Sequence, residues 1–209
     1  MEAGYFALQG RRVRLEPLQW EHVDGLVAAA AVDPSLYRWS LVPQGKDAVT
    51  RYVETAMAWR DAGTAFPFAI VRSADGSVIG STRFWNIERW SWPTGHPRHG
   101  RSGPDVCEIG YTWLTASAVR TAVNTESKLL MLMHAFDVWQ MCGVNLHTDA
   151  RNQQSRAAME RMGARLDGVL RAHRMASDFT PRDSARYSII AAEWPEVKTR
   201  LERLRDKYD

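Results

Sequence analysis

The stretch from Asp105 to Phe136 constrains the fold more than any other. "DVCEIGYTWL" is rich in strand formers, "TASAVR" breaks the pattern, and "TESKLLMLMHAFDVWQMCG" is apolar on most sides at helical spacing. A helix of that kind is buried between layers. A strand running through a short loop into a buried helix is the building unit of an α/β chain. Such a loop often receives a phosphate on glycine-lined backbone, yet this one contains no glycine.

The flanking segments extend the pattern. "RRVRLEPL" places Val13 and Leu15 on one face of a strand ended by Pro17, and "QWEHVDGLVAAAA" has helical spacing at Trp20, Val23, Leu26 and Val27. "KDAVTRYVETAMAWRDAG" predicts a second helix, with Asp47 as N-cap, a stripe of Val49, Tyr52, Val53, Ala56 and Trp59, and Gly63 as its stop. Phe66–Val71 and Val78–Trp85 flank Asp75-Gly76 and predict a hairpin. Residues 88–104 lose all periodicity across three prolines and three glycines, which predicts a long loop.

After the central helix come a strand at "VNLHTDA" and a helix capped by Asn152 and stopped by Gly163. Two strands follow at "RLDGVLRAHR" and "ARYSIIAAEW". The last helix starts at Pro195, with Val197, Leu201 and Leu204 as its stripe. The expected fold class is α/β with a mixed sheet, because only some strands are joined through helices. A chain of 209 residues, 45% hydrophobic, suits a single domain.

Charge and cysteine usage narrow the function. A net charge of +3 and a pI near 9.0 without a block of like charges favour an anionic ligand over nucleic acid. No run reaches membrane-spanning length, and the N-terminus has no apolar core of a signal peptide. Cys107 and Cys142 alone suit a reducing cytoplasm. His96, His99 and Cys107 lack a second matched pair for zinc, so no metal is expected. His134 and His147 fall in a buried helix and a strand and read as core residues.

"EIGYTWL", the loop and helix after it, "TDARNQQSRAAMERMGARLDGVLR" and "DGVLRAHR" together resemble the GNAT N-acetyltransferase superfamily, above all its ribosomal-protein alanine N-acetyltransferase branch. The resemblance covers about residues 11–193, with the helix from about 195 to 206 as an addition. It implies a GNAT fold whose fourth and fifth strands splay apart around acyl-CoA, and transfer of an acetyl or other acyl group to a primary amine by direct attack. The acceptor is then a small-molecule amine or a peptide N-terminus, and homodimers fit the resemblance. A catalytically silent CoA- or peptide-binding module is the competing reading, separated from the first by turnover.

The resemblance also assigns residues. The pyrophosphate pattern Q/R-x-x-G-x-G/A falls on Val119, Arg120, Thr121, Ala122, Val123 and Asn124, so both glycine positions are changed. Main-chain N–H groups are the donors there, and any residue supplies them unless φ must be positive. Arg120 and Lys128 are expected to add cationic contacts, and a branch with the same Asn-Thr-Glu-x-Lys form belongs to the resemblance. Trp113 and Leu114 end the splayed strand and face the cofactor.

Asn152 is expected on the CoA arm and Ser155 at the sulfur, where its hydroxyl protonates the departing thiolate; taken alone, the two read as an N-cap and its third helical neighbour. Glu108 in an apolar strand is expected to have a raised pKa and to act as base, unless an arginine pairs with it. Tyr111 lies on the opposite face if alternation holds. Trp85, Trp90 and Trp92 are expected to wall the acceptor site, with Arg98 and Arg101 attracting an acidic group.

Overall fold

The computed structural model describes residues 6–207. Eight strands form one sheet: β1 (Leu8–Gln9), β2 (Val13–Pro17), β3 (Ala65–Arg72), β4 (Val78–Glu88), β5 (Val106–Leu114), β6 (Gly143–Asp149), β7 (Arg165–Met175) and β8 (Pro181–Ile190). Their order is β1-β2-β3-β4-β5-β6-β8-β7. All neighbours pair antiparallel except β5 and β6, which are parallel. That exception follows from connectivity, since a long helix joins those two strands while the turn at Asp75 and Gly76 joins β3 to β4.

Helices α1 (Val23–Ala31) and α2 (Gly45–Asp61) cover one face of the sheet; α3 (Ala122–Met133) covers the other, with α4 (Gln153–Met162) and α5 (Trp194–Asp206) beside it. Val49, Val53 and Ala56 of α2 are fully buried with Ala69 and Val71 of β3, as the helical stripe requires. On the α3 face Phe68, Ile70, Phe84, Leu129 and Leu132 form the larger core. Each such side chain contributes about 1.5–3 kcal/mol by leaving water.

Local expectations hold where their cause is local. Asn152 accepts the Ser155 amide at 3.0 Å, and Gly163 ends α4 in the left-handed region at φ 104°. Others move. Gln44, not Asp47, holds the N-cap position of α2, without a side-chain hydrogen bond, which leaves Asp47 in the first turn, where its charge still faces the helix dipole favourably. Helix α3 starts at Ala122 because the Thr121 hydroxyl caps it, and a π turn at His134–Val138 ends it. Strand β4 continues to Glu88, and the two-residue β1 is too short to leave a periodic signal.

Candidate active site

Strands β5 and β6 are paired only at Val106–Glu108 against Gly143–Asn145, and beyond those residues they diverge. A bulge accompanies the parting. Arg83 of β4 faces Gly110 and Ser81 faces Trp113, so two residues of β5, Tyr111 and Thr112, stand against Thr82 alone. Tyr111 takes φ 53°, costly for an aromatic residue and held by tertiary contacts. The extra residue overturns the alternation expected for this strand. Tyr111 packs on Trp85 at 5.0 Å, and Trp85 is the register partner of Glu108, so Tyr111 is brought to the side of Glu108.

The loop from Thr115 to Thr121 runs from β5 into α3. Its positive φ falls on Arg120 (62°) and not on Ala122, which is the first residue of the helix and needs no glycine. Ala122 and Val123 are buried, Val119 is half-buried, and Arg120 is exposed, so the cation expected there faces solvent. The first N–H groups of α3 project into this loop as orphan donors, except that Thr121 Oγ1 accepts from Val123 N at 3.2 Å. Asn124 Oδ1 is buried without a partner.

Lys128 does not join them. It is buried one turn further along α3 and points at the sheet, its Nζ 2.6 Å from Thr112 Oγ1 and 3.5 Å from Thr82 Oγ1. Burial drives its pKa from 10.5 down to about 7. A phosphate-contacting cation must reach the loop surface, so this residue supports the bulge instead.

Glu108 is 1% exposed and its carboxylate accepts three hydrogen bonds. Arg174 donates Nη1 to Oε1 at 3.1 Å and Nη2 to Oε2 at 2.7 Å, a bidentate pair, and Asn86 Nδ2 adds 3.1 Å to Oε2. His147 Nδ1 is 3.0 Å from Oε2, close enough for charge but off the alignment of a hydrogen bond. Burial raises the carboxyl pKa, but Arg174 and His147 together outweigh it and hold the group below its ordinary value. The expected raised pKa is therefore corrected, and His147 is a member of the site where a plain core residue was expected. Arg174 comes from β7, two strands beyond β6, and lies over the Trp85 ring at 4.4 Å.

Asn152 and Ser155 sit at the start of α4, just after β6. The Asn152 oxygen is used as the cap, and the Ser155 hydroxyl makes no hydrogen bond to a described residue. Met159, further along, is buried. Trp113 and Leu114 split across the sheet: Trp113 packs with the α1–α2 core and Leu114 with the α3 core.

The loop 89–105 is tied down away from the parting strands. Trp90 N and Trp92 Nε1 both donate to Asp105 at 2.8 Å, and Trp92 stacks on His96 at 4.3 Å. Arg98 and Arg101 bond the carbonyls of Gln140 and Trp139. Of the three tryptophans expected at the acceptor wall only Trp85 stands beside Glu108; Trp90 and Trp92 brace the loop, and both arginines are spent on it. Among the described residues no group of three or more His, Cys, Asp or Glu side chains is placed to hold a metal.

Near the diverging ends of β5 and β6, the hairpin joining β7 to β8 meets the segment after α1, whose Tyr37 hydroxyl donates to the Leu114 carbonyl at 3.1 Å. Ser177 Oγ donates to the Arg38 carbonyl, and Arg151 lies over the Trp39 ring at 4.8 Å. Those two segments frame the α1–α2 side of the site.

The model of the acetyltransferase (GNAT) domain matches residues 12–165, more than half of the chain. The chain belongs to the GNAT acetyltransferases. Solved structures agree. A GCN5-related N-acetyltransferase from Brucella melitensis is similar at TM-score 0.83 and 26% identity, over 98% of this chain and 87% of that one. A protein from T. thermophilus, provisionally described as an acetyltransferase, is 30% identical at TM-score 0.76 over 98% and 99%. Mycobacterium smegmatis RimJ, solved with CoA-disulfide, matches in fold at TM-score 0.74 and 22% identity over 96% and 93%. No protein of curated function matches the sequence.

Within this GNAT acetyltransferase the sequence left one constellation unread. Arg83, buried to 1% exposure, lies among the rings of Tyr52, Trp59 and Tyr111 on the face that carries Glu108. The signal was available in part: Arg83 and Trp85 share a face by alternation, and Tyr52 and Trp59 are seven apart on α2. What joins them is the β4–α2 packing, which no local pattern encodes.

Proposed function

We propose that the protein moves an acetyl group from acetyl-CoA to a primary amine by direct attack in a ternary complex. The divergence of β5 and β6 after Glu108 and Asn145 supports this most strongly, since it frees β5 backbone N–H groups beside a helix N-terminus. Pantetheine would lie between the strands and the pyrophosphate would take the N–H groups at residues 119–124, with Asn152 on the CoA arm. The β5 segment up to Trp113 and Leu114 would polarise the thioester carbonyl. Proximity and carbonyl polarisation supply most of the acceleration, so no covalent enzyme intermediate is needed.

The unengaged Ser155 hydroxyl suits protonation of the thiolate as it leaves. Glu108 is ionised at neutral pH, and its Oε1, which accepts from Arg174 alone, keeps an acceptor position for a relay water through which the ammonium proton can leave. The acceptor enters from the α1–α2 side, past Trp85, as a small amine or a peptide N-terminus. No helix is long and apolar enough to cross a membrane among the described residues, and Cys107 and Cys142 are free thiols, which supports a reducing cytoplasm as the working compartment.

Calorimetry with CoA, followed by thiol release from acetyl-CoA with a panel of amines, tests the reading. Binding at micromolar CoA with turnover on at least one amine is expected. No CoA binding at millimolar concentration sinks it.

A further inference from the structure

Arg83 is a buried cation without a counter-ion. Its Nε and Nη2 atoms are sealed from solvent and have no hydrogen-bond partner, and no carboxylate is within ion-pairing range among the described residues. A buried, unpaired charge is strongly destabilising, so a fold that keeps one has a use for it. The surroundings hold the cation without neutralising it: its Cζ is 4.1 Å from the Tyr111 ring centroid, 4.8 Å from Tyr52 and 5.3 Å from Trp59.

Nε and Nη2 form the side-on fork of a guanidinium, the edge that receives a planar carboxylate through two parallel hydrogen bonds. Rings over the faces leave the edges as the positions at which a partner must bind. A second orphan donor stands on the same face two residues along: Trp85 Nε1 is also buried without a partner. Trp85 touches two of the same three rings, Tyr111 at 5.0 Å and Trp59 at 6.2 Å. Gly110 lets the indole lie there, since a Cβ at that position would come 2.6 Å from Nε1. Every unsatisfied group of this pair is a donor, and the one nearby carboxylate, Glu108, is already consumed by Arg174.

We propose that Arg83 and Trp85 receive a carboxylate carried by the acceptor, so that the substrate class is an amine bearing a carboxylate. Resting on the acyl-transfer reading above, this adds a specificity determinant to it. The carboxylate can belong to a free amino acid or to the side chain of an acidic N-terminal residue of a peptide.

Matched acceptors separate these sources. With acetyl-CoA as donor, alanine is compared with alaninamide, and Glu-Ala-Ala-amide with Gln-Ala-Ala-amide. The carboxylate member of one pair is expected to have a kcat/KM at least about tenfold higher, and Arg83→Gln is expected to reduce that ratio to within about twofold while CoA affinity stays within threefold. A readout independent of turnover accompanies it: tryptophan fluorescence of the wild type is titrated with succinate and with succinamide. Saturable change with succinate alone, lost in Arg83→Gln, supports the site even if no amine is acetylated. Such a result would leave the carboxylate site at Arg83 standing, while its assignment to an acceptor would fall with the acyl-transfer reading. Should Arg83→Gln fail to fold by circular dichroism, Arg83→Lys keeps the charge, loses the fork, and is expected to weaken the preference about tenfold. The proposal is overturned if the wild type shows neither a carboxylate preference nor a saturable succinate response, or if the preference survives in the folded Arg83 variant.

Discussion

Thr121 Oγ1 accepts the Val123 amide at 3.2 Å, so a side chain of the loop occupies a donor that a bound pyrophosphate would use. The same hydroxyl also bonds the Ala118 carbonyl at 2.8 Å, which folds the loop back on itself. If the pyrophosphate binds there as proposed, capping and ligand compete for one N–H group. Thr121→Ala is expected to lower stability by about 1 kcal/mol, the usual worth of an N-cap. CoA affinity should hold or improve, because the freed amide is available to phosphate. Calorimetry and a denaturation curve check this pair, and a tenfold loss of CoA affinity would show that the hydroxyl itself contacts the ligand.

Glu108 and Ser155 separate in a pH–rate profile. Arg174 and His147 hold the Glu108 carboxyl below its ordinary value of 4.5 despite burial. A base must be deprotonated, so activity limited by Glu108 stays constant from neutrality downward and falls only below that value. An acid limb above pH 5 in kcat therefore belongs to another group. Ser155→Ala should lower kcat by a factor within about 10²–10⁴, the range of one proton-transfer group, with CoA affinity nearly unchanged. Equal losses in kcat and CoA binding would reduce Ser155 to a helix position.

Lys128 makes stability depend on pH in an unusual window. Burial sets its folded pKa at about 7 against 10.5 in the unfolded chain. Between these values the unfolded state binds the extra proton, so stability rises with pH and is lost as pH falls toward 7. Tyr111, raised by burial above its ordinary 10.0, acts with the opposite sign from that value upward, so the comparison is with a variant. Lys128→Met should be more stable than the wild type at pH 7, with the difference shrinking toward pH 10. A difference that does not change with pH would mean that the ammonium finds water.

What could be read in advance follows the range of each interaction. The Asp75-Gly76 turn, the Asn152 cap and the Gly163 stop depend on neighbours a few residues away, and each was legible. The Glu108–Arg174 pair joins residues 66 apart, and its sign decides whether the carboxyl pKa rises or falls. Apolar flanks around Glu108 argue for burial and so for a raised value; the arginine that reverses it comes from β7. Tyr111 was assigned to the wrong face because alternation assumes a regular strand, and a bulge leaves no mark in composition. The tryptophan-rich loop misled for a different reason: Trp90 and Trp92 are near the site in sequence, but Asp105 holds both of them.

Glu126 carries the last prediction. It is 2% exposed on α3, and its carboxylate accepts three backbone amides where the chain enters β2: Arg11 N at 2.9 Å, Arg12 N at 2.8 Å and Val13 N at 3.1 Å. Gly10 makes this approach possible, since a Cβ there would lie 2.9 Å from the Glu126 Cδ and 2.8 Å from the Val13 carbonyl. Glu126→Ala removes the acceptor for three N–H groups at once. Leaving a buried donor unsatisfied costs about 1–3 kcal/mol, less where water enters the gap, so a total loss of roughly 3 kcal/mol or more is expected. Glu126→Gln keeps one carbonyl acceptor and should lose less. Chemical denaturation of the two variants should therefore rank them wild type, Gln, Ala. Glu126 lies only one turn beyond the start of α3, but its bonds go to the segment leading into β2, so acetyl-CoA binding proposed at residues 119–124 should survive in both while they stay folded. Equal stability of wild type and Glu126→Ala would show that water replaces the carboxylate in full.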